Sequence, residues 1–180
     1  NIEARIRSEV KGIEPGKKVV TVCDLNSGKR YEESYDKLIL SPGAEPVRPP
    51  LPGIDGDGIF TLRNVSDTDR VKEYVEDRDV KRVVIVGAGF IGLEMAENLH
   101  EYGIDVSIVE MADQVMTPVD YEMAAIVHQH LKAKGVGLYL QEAVTAFRQT
   151  GEGMEVVLRS GLILQTDMVL LSIGVRPDAR

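Results

Sequence analysis

Six consecutive residues, Gly87-Ala88-Gly89-Phe90-Ile91-Gly92, have types and spacing that could hold a phosphate. In a GxGxxG run set between a strand and a helix, the first glycine makes the tight turn and the second lets backbone approach a pyrophosphate. The third lets the helix pack close to the strand, and the free N–H groups of the helix start face the anion. The run alone is a weak sign, because glycines also mark ordinary turns. Its setting adds weight: it follows the β-branched run Val83-Val84-Ile85-Val86 and opens a stretch with helical apolar spacing. Glu110 ends the next β-branched run, 18 residues after Gly92. That is close to the ~20-residue interval at which a carboxylate accepts hydrogen bonds from an adenosine ribose. The plainer alternative is a phosphate-free α/β turn followed by a solvated surface glutamate.

The same carboxylate bears on which dinucleotide fits, since it would repel a 2′-phosphate. Residues 83–131 carry eight carboxylates and no Lys or Arg to hold such a phosphate. The expectation is NAD(H) in preference to NADP(H).

These residues need a parallel sheet with crossing helices to position them, and the pattern from Lys81 onward supplies one. Arg82–Val86 reads as a strand, and Phe90–Tyr102 as a helix with Ile91, Met95, Leu99 and Tyr102 on its apolar face and Gly103 as its stop. Val106–Val109 is the next strand. Thr117 is placed to cap a second helix, with Pro118 at its first position and Asp120 three residues after the cap. Its apolar stripe is Val119, Met123, Ile126, Val127 and Leu131, and Gly135 ends it. Val136–Leu140 reads as a third parallel strand. Three short runs (Ala143–Gln149, Glu155–Leu158, Leu162–Gln165) read as an antiparallel meander, and Met168–Ile173 closes the region before Gly174. The fold class is α/β: a Rossmann-like βαβαβ domain with a meander, preceded by a β-rich segment.

That earlier segment alternates apolar and polar residues at Ile2, Ala4, Ile6 and Val10, then runs through Val19–Leu25 to a turn at Asn26-Ser27-Gly28-Lys29. Lys37–Ser41 reads as a short buried strand stopped by Pro42-Gly43. Glu45–Gly58 is rich in proline and glycine, the composition of a linker or surface loop. Ser66 is the expected cap of a polar helix reaching about Asp77.

Composition narrows the class. The chain has 180 residues, 43% of them hydrophobic, enough for one domain and part of another. Its net charge of -8 (21 basic, 29 acidic) argues against nucleic acid or a membrane surface as partner. The charge divides into -3 over residues 1–80 and -5 over 81–180. One cysteine rules out a disulfide framework. The apolar stretches are short of a membrane span and no signal-peptide pattern opens the chain, so a cytoplasmic protein is expected. The absence of an initial methionine suggests an excised piece.

Several tracts resemble the pyridine nucleotide-disulfide oxidoreductase family. Val86–Glu94 is similar to its NAD motif, and Tyr35–Ala44 to the segment where the chain leaves the FAD domain. Thr61–Asn64, Met116–Ala124 and Ile173–Pro177 add to the likeness. The tract at Met116–Ala124 is most similar to coenzyme A-disulfide reductases, some of which carry a rhodanese domain; NADH oxidases and peroxidases are the neighbouring branch. The resemblance implies that NADH passes hydride to FAD and on to a small-molecule disulfide such as coenzyme A disulfide, or to oxygen or peroxide. It implies that Gly87, Gly89, Phe90, Ile91, Gly92, Glu94, Glu110 and Gly174 hold NAD, with Phe90 where relatives have a tyrosine over the flavin. Val10, Ser41, Pro42, Gly43 and Arg63 would touch FAD.

The family's FAD GxGxxG, its redox cysteine, its Gly-Asp element and its dimerisation domain have no counterpart among these 180 residues. The resemblance therefore implies an incomplete FAD site, a homodimer only in the full-length protein, and a piece that cannot turn over alone. On it, residues 1–45 end an FAD domain, 46–80 cross over, and 81–178 form the NAD domain. Cys23 lies outside the redox position and is expected to be a structural thiol. His128 and His130, two apart on one helix, face different sides and are expected as helix-face residues rather than metal ligands, and His100 carries no signal. Two alternatives stay open: the reductase component of a nitrite or ferredoxin system, and, from another class, a dinucleotide-binding module without catalysis.

Overall fold

A computed structural model describes residues 2–178 of the chain; Asn1 lies outside them. The chain divides into two compact units, Asn1–Pro42 and Gly43–Arg180.

In the first unit, β1 (Ser8–Glu14), β2 (Val19–Asp24) and β3 (Arg30–Ser34) form an antiparallel sheet in that order. The expected turn follows β2: Asp24 Oδ1 accepts from the N–H groups of Asn26 and Ser27 at 2.9 and 2.8 Å, and Gly28 takes a φ of 71°. Val20 and Val22 are buried. Two expectations fail here. Ile2–Ile6 is not strand, because the pairing of β1 with β2 starts only at Ser8 opposite Asp24. Lys37–Ser41 is neither strand nor buried, and Ile39 is 88% exposed. β3 ends at Ser34, and residues 37–41 make no strand pairing.

The second unit opens with β4 (Ala44–Pro46), β5 (Ile59–Thr61) and α1 (Val65–Asp77). The strand–helix alternation follows as β6 (Arg82–Val86), α2 (Phe90–Glu101), β7 (Asp105–Val109), α3 (Tyr121–Ala133) and β8 (Gly137–Tyr139). The meander is β9 (Val144–Thr150), β10 (Gly153–Leu158) and β11 (Ile163–Thr166). β12 (Met168–Leu171) and β13 (Val175–Pro177) close the unit. Five strands make one wholly parallel sheet, order β5-β12-β6-β7-β8. β13 pairs antiparallel with β4, so the proline-rich segment is anchored at one end by the last strand.

Both faces of the parallel sheet are covered, which explains its continuous Val/Ile/Leu runs. Val83, Ile85, Ile108, Met168 and Leu170 pack in the cluster that includes Ala96, Leu99, Ala124 and Leu131 of α2 and α3. Val84, Val109, Val169 and Leu171 pack against Phe147, Met154 and Val156 of the meander. The result is helices, sheet and meander in three layers, and the α/β reading holds.

Asp167 fastens the entry of β12 to that of β6. Its Oδ2 accepts from the backbone N–H of Lys81 and Arg82 at 3.0 and 2.9 Å, and its Oδ1 from Arg82 Nη2 at 2.7 Å. Burial alone would raise this carboxyl, but those three donors outweigh it and hold it below its ordinary value.

The helix starts and faces differ from expectation. The cap of α1 is Asn64, not Ser66: Asn64 Oδ1 accepts from Asp67 N–H at 3.0 Å while Asp67 Oδ2 accepts from Asn64 N–H at 3.3 Å. This reciprocal pair satisfies two donors at once. α3 begins after Asp120 rather than Thr117, because Met116 takes a φ of 50° and the Val119 N–H turns back to its carbonyl at 2.9 Å. In α2 the buried face is Gly92, Ala96 and Leu99, and Ile91 and Tyr102 are exposed. Small residues face the sheet because the helix crosses it so closely at Gly92. In α3 the buried residues are Ala124, His128 and Leu131, leaving Met123 and Ile126 outside.

Candidate functional site

The glycine turn lies at the carboxyl end of β6, the strand flanked by β7 on one side and β12 on the other. The strand order reverses there, and ligands of open α/β sheets bind at that crevice. Gly87 has a φ of 103°, and a Cβ on it would sit 2.5 Å from the Ser172 carbonyl oxygen. A Cβ on Gly92 would sit 2.1 Å from the Gly87 carbonyl oxygen and 2.7 Å from Ser172 Oγ. Both glycines are therefore required by the fold itself. Gly89 is different. It has an ordinary φ of -77°, and a Cβ there would meet nothing within 4 Å. As the N-cap of α2 it offers no side-chain acceptor to the first-turn amides, which leaves positive dipole and N–H donors for an anion.

Glu110 reaches back to this turn. Its Oε2 accepts from Ala88 N–H at 2.7 Å and its Oε1 from Ala112 N–H at 2.9 Å. Each carboxylate oxygen keeps a further lone pair for a ribose hydroxyl. The Gly87 N–H bonds the Val109 carbonyl at 2.8 Å and the Met116 N–H bonds the Ala88 carbonyl at 2.9 Å. The turn is thus tied to the end of β7 and to both ends of the loop after it.

The segment after β12 closes the other side. Ser172 Oγ contacts the carbonyl oxygens of Val86 and Gly87 at 3.1 and 2.9 Å, donating its proton toward them. Gly174, at a φ of 110°, accepts from the Val47 N–H at 3.0 Å. Ser172 went unnoticed in the sequence, where a serine after a buried strand has no pattern to mark it.

Phe90 is 61% exposed, so it is not the core residue that a helix-start aromatic often is; Ile91 and Glu94 are exposed on the same first turns. Gly87, Gly89, Phe90, Ile91, Gly92, Glu110 and the Ser172–Gly174 segment therefore gather at one end of the sheet. Among the residues implied for FAD, Val10 lies on the first unit, in an open groove of about 350 Å³ that Val20, Val22 and Tyr31 also line. Ser41 and Pro42 are exposed at the end of that unit. In the second unit Arg63 ion-pairs with Glu45, and a Cβ on Gly43 would lie 3.5 Å from its Nη2. Gly43 and Arg63 are therefore neighbours at the start of this unit.

Cys23 is half-buried on β2 with its thiol 3.9 Å from the Asp24 and Gly28 carbonyl oxygens; its cross-strand neighbours are Glu9 and Arg30. Of the two helix-face histidines, His128 is on the buried side of α3 and His130 on the exposed side. No group of three or more His, Cys, Asp or Glu among the described residues is arranged to hold a metal. No helix among them is long and apolar enough to cross a membrane.

The sheet order, the glycine turn and the paired carboxylate match a family already suggested by the motifs, and the family model for pyridine nucleotide-disulphide oxidoreductases matches residues 1–180. The chain belongs to the pyridine nucleotide-disulphide oxidoreductases. Within this oxidoreductase family it is 40% identical to the NADH oxidase of Methanocaldococcus jannaschii over 157 residues, 87% of this chain and 35% of the relative. It is 32% identical to the coenzyme A disulfide reductase of Staphylococcus aureus over 179 residues, 99% of this chain and 39% of the relative. The crystal structure of reduced Bacillus anthracis CoADR-RHD matches with a TM-score of 0.87 at 48% identity, over 96% of this chain and 31% of that one. The chain thus spans about a third to two-fifths of the length of these relatives. Pyridine nucleotide-disulphide oxidoreductases use FAD and NAD(P)H.

Proposed function

We propose that the second unit binds NADH in preference to NADPH and presents its nicotinamide for hydride transfer to FAD in an oxidoreductase acting on a disulfide such as that of coenzyme A. The observation that carries this reading is Gly89. The fold does not require a glycine there, since its φ is ordinary and the space around it is open. A ligand that brings phosphate oxygens against the backbone does require one. Gly87 and Ala88 would shape the turn, Gly89, Phe90, Ile91 and Gly92 would hold the pyrophosphate through the backbone N–H groups of the helix start, and Glu110 would accept from the adenosine ribose. Gly174, Phe90 and Glu94 would face the nicotinamide half. Val10, Ser41, Pro42, Gly43 and Arg63 would contact FAD, which when bound supplies the two-electron chemistry.

Preference for NADH follows from Glu110 and from the lack of any Lys or Arg between residues 83 and 131. A 2′-phosphate would meet a fixed carboxylate and no cation supplied by residues 83–131. Calorimetric titration of the chain with NADH and NADPH tests both parts. Binding of NADH with much weaker NADPH is expected, and equal affinities would overturn the preference. A second reading, with oxygen or peroxide as the final acceptor, is favoured by the 40% identity to an NADH oxidase. Following oxygen and coenzyme A disulfide consumption by the polypeptide that contains this chain, in the presence of NADH, separates the two.

A further inference from the structure

His128 is buried on α3, and its ring Nε2 accepts the backbone N–H of Val115 at 3.1 Å. An N–H can be accepted only by a ring nitrogen that carries no proton, so this bond requires Nε2 to be bare. Tyr121, two turns earlier on the same helix, lies edge-on to the ring with centroids 6.2 Å apart.

The residue it holds stands in an unusual loop. Val115 is fully buried, and Met116 after it takes a left-handed φ of 50°, a conformation that a side-chain-bearing residue adopts only when its surroundings impose it. That loop is also the back wall of the glycine turn. At its start the Ala112 N–H bonds Glu110 Oε1 at 2.9 Å, and at its end the Met116 N–H bonds the Ala88 carbonyl at 2.9 Å. Ala88 in turn donates to Glu110 Oε2 at 2.7 Å. His128 is therefore one peptide away from the contact that fixes Ala88, and Ala88 and Glu110 together shape the turn that the nucleotide would approach.

We propose that His128 is a positioning residue for the nucleotide site, acting through the Val115 N–H to hold the loop of residues 111–116 against the glycine turn. The proposal rests on the dinucleotide reading above for its effect on binding, though not for its effect on the loop. Without an acceptor at this point the Val115 N–H is a buried donor with no partner, and the left-handed turn at Met116 loses its brace.

The test compares His128→Phe, which fills the space and cannot accept, with His128→Gln, whose Oε1 can reach the place of Nε2. Amide hydrogen exchange over residues 111–116, measured with no nucleotide present, should rise about tenfold in H128F and stay near wild type in H128Q. The Kd for NADH should rise by about the same factor in H128F and recover in H128Q. If H128F does not fold, His128→Leu takes its place. Unchanged exchange in the apolar variants overturns the proposal, as does an equal loss in both variants that simply follows a fall in Tm. A wild-type chain that binds neither NADH nor NADPH overturns the dinucleotide reading instead, and the exchange comparison still decides whether His128 holds the loop.

Discussion

The carboxylate of Glu110 accepts the backbone N–H of Ala88, the residue between the first two glycines of the turn, at 2.7 Å. One side chain therefore both shapes the turn and presents charge to whatever binds there. Glu110→Gln replaces one acceptor oxygen with an N–H₂ group that faces a backbone N–H. Since a hydrogen bond to a charged group contributes about 1.5–3 kcal/mol, E110Q should lose stability of that order in urea unfolding. Its affinity for NADH should fall, and the gap between NADH and NADPH should narrow because the charge proposed to repel a 2′-phosphate is gone. Titration of both nucleotides into E110Q checks this; an unchanged ratio would mean that Glu110 does not set the preference.

The three glycines of the motif should separate by assay. Gly92→Ala places a Cβ 2.1 Å from the Gly87 carbonyl oxygen and Gly87→Ala places one 2.5 Å from that of Ser172. Backbone cannot yield that far, so both variants should lose a few kcal/mol, or about 2–4 by analogy with overpacked cores and strained backbone. Gly89→Ala meets nothing, so its Tm should match wild type within a degree or two, about the scatter of neutral surface changes. Its affinity for NADH should nevertheless drop by at least about tenfold if the proposed site holds, since the Cβ would then stand where the pyrophosphate comes close. G89A binding NADH like wild type would remove the main support for the nucleotide site.

Ser172 makes a smaller prediction. Its hydroxyl spans the Val86 and Gly87 carbonyl oxygens, and Ser172→Ala removes the donor without adding bulk beside Gly92. A loss of about 1 kcal/mol is expected, the net worth of one such bond, read as a lower urea midpoint at unchanged slope.

The parts of this fold that were legible in the sequence are those with a repeating period or a required backbone shape. β6, β7 and the meander strands announce themselves as β-branched runs, and Gly87 and Gly92 as positions where a Cβ collides. The helix faces were misread by about one residue because apolar spacing assumes that large residues face the core. Here the close crossing at Gly92 turns the small residues Gly92 and Ala96 inward instead. His128 and Asp167 were missed for another reason. Each is a polar side chain serving distant backbone N–H groups, Val115 and the pair Lys81 and Arg82, and no local pattern shows where those donors end up. Lys37–Ser41 looked like a strand because it is apolar, but the partner strand, not the apolar run, makes a sheet.

Asp167 gives the stability a dependence on acid. Its three donors hold the folded carboxyl below its ordinary value of 3.8. A carboxyl with a lower value in the folded chain than in the unfolded one contributes stability above the unfolded value and loses it as pH falls through the folded one. The wild-type chain should therefore hold this contribution at neutral pH and shed it below about pH 4. Asp167→Asn keeps the shape but loses the charge, so it should be less stable at pH 7 by about 1–3 kcal/mol. The difference between wild type and D167N in urea unfolding should shrink steadily as the pH is lowered toward 2. A difference that stays constant over that range would show that the shape of the side chain, and not its charge, fastens β12 to β6.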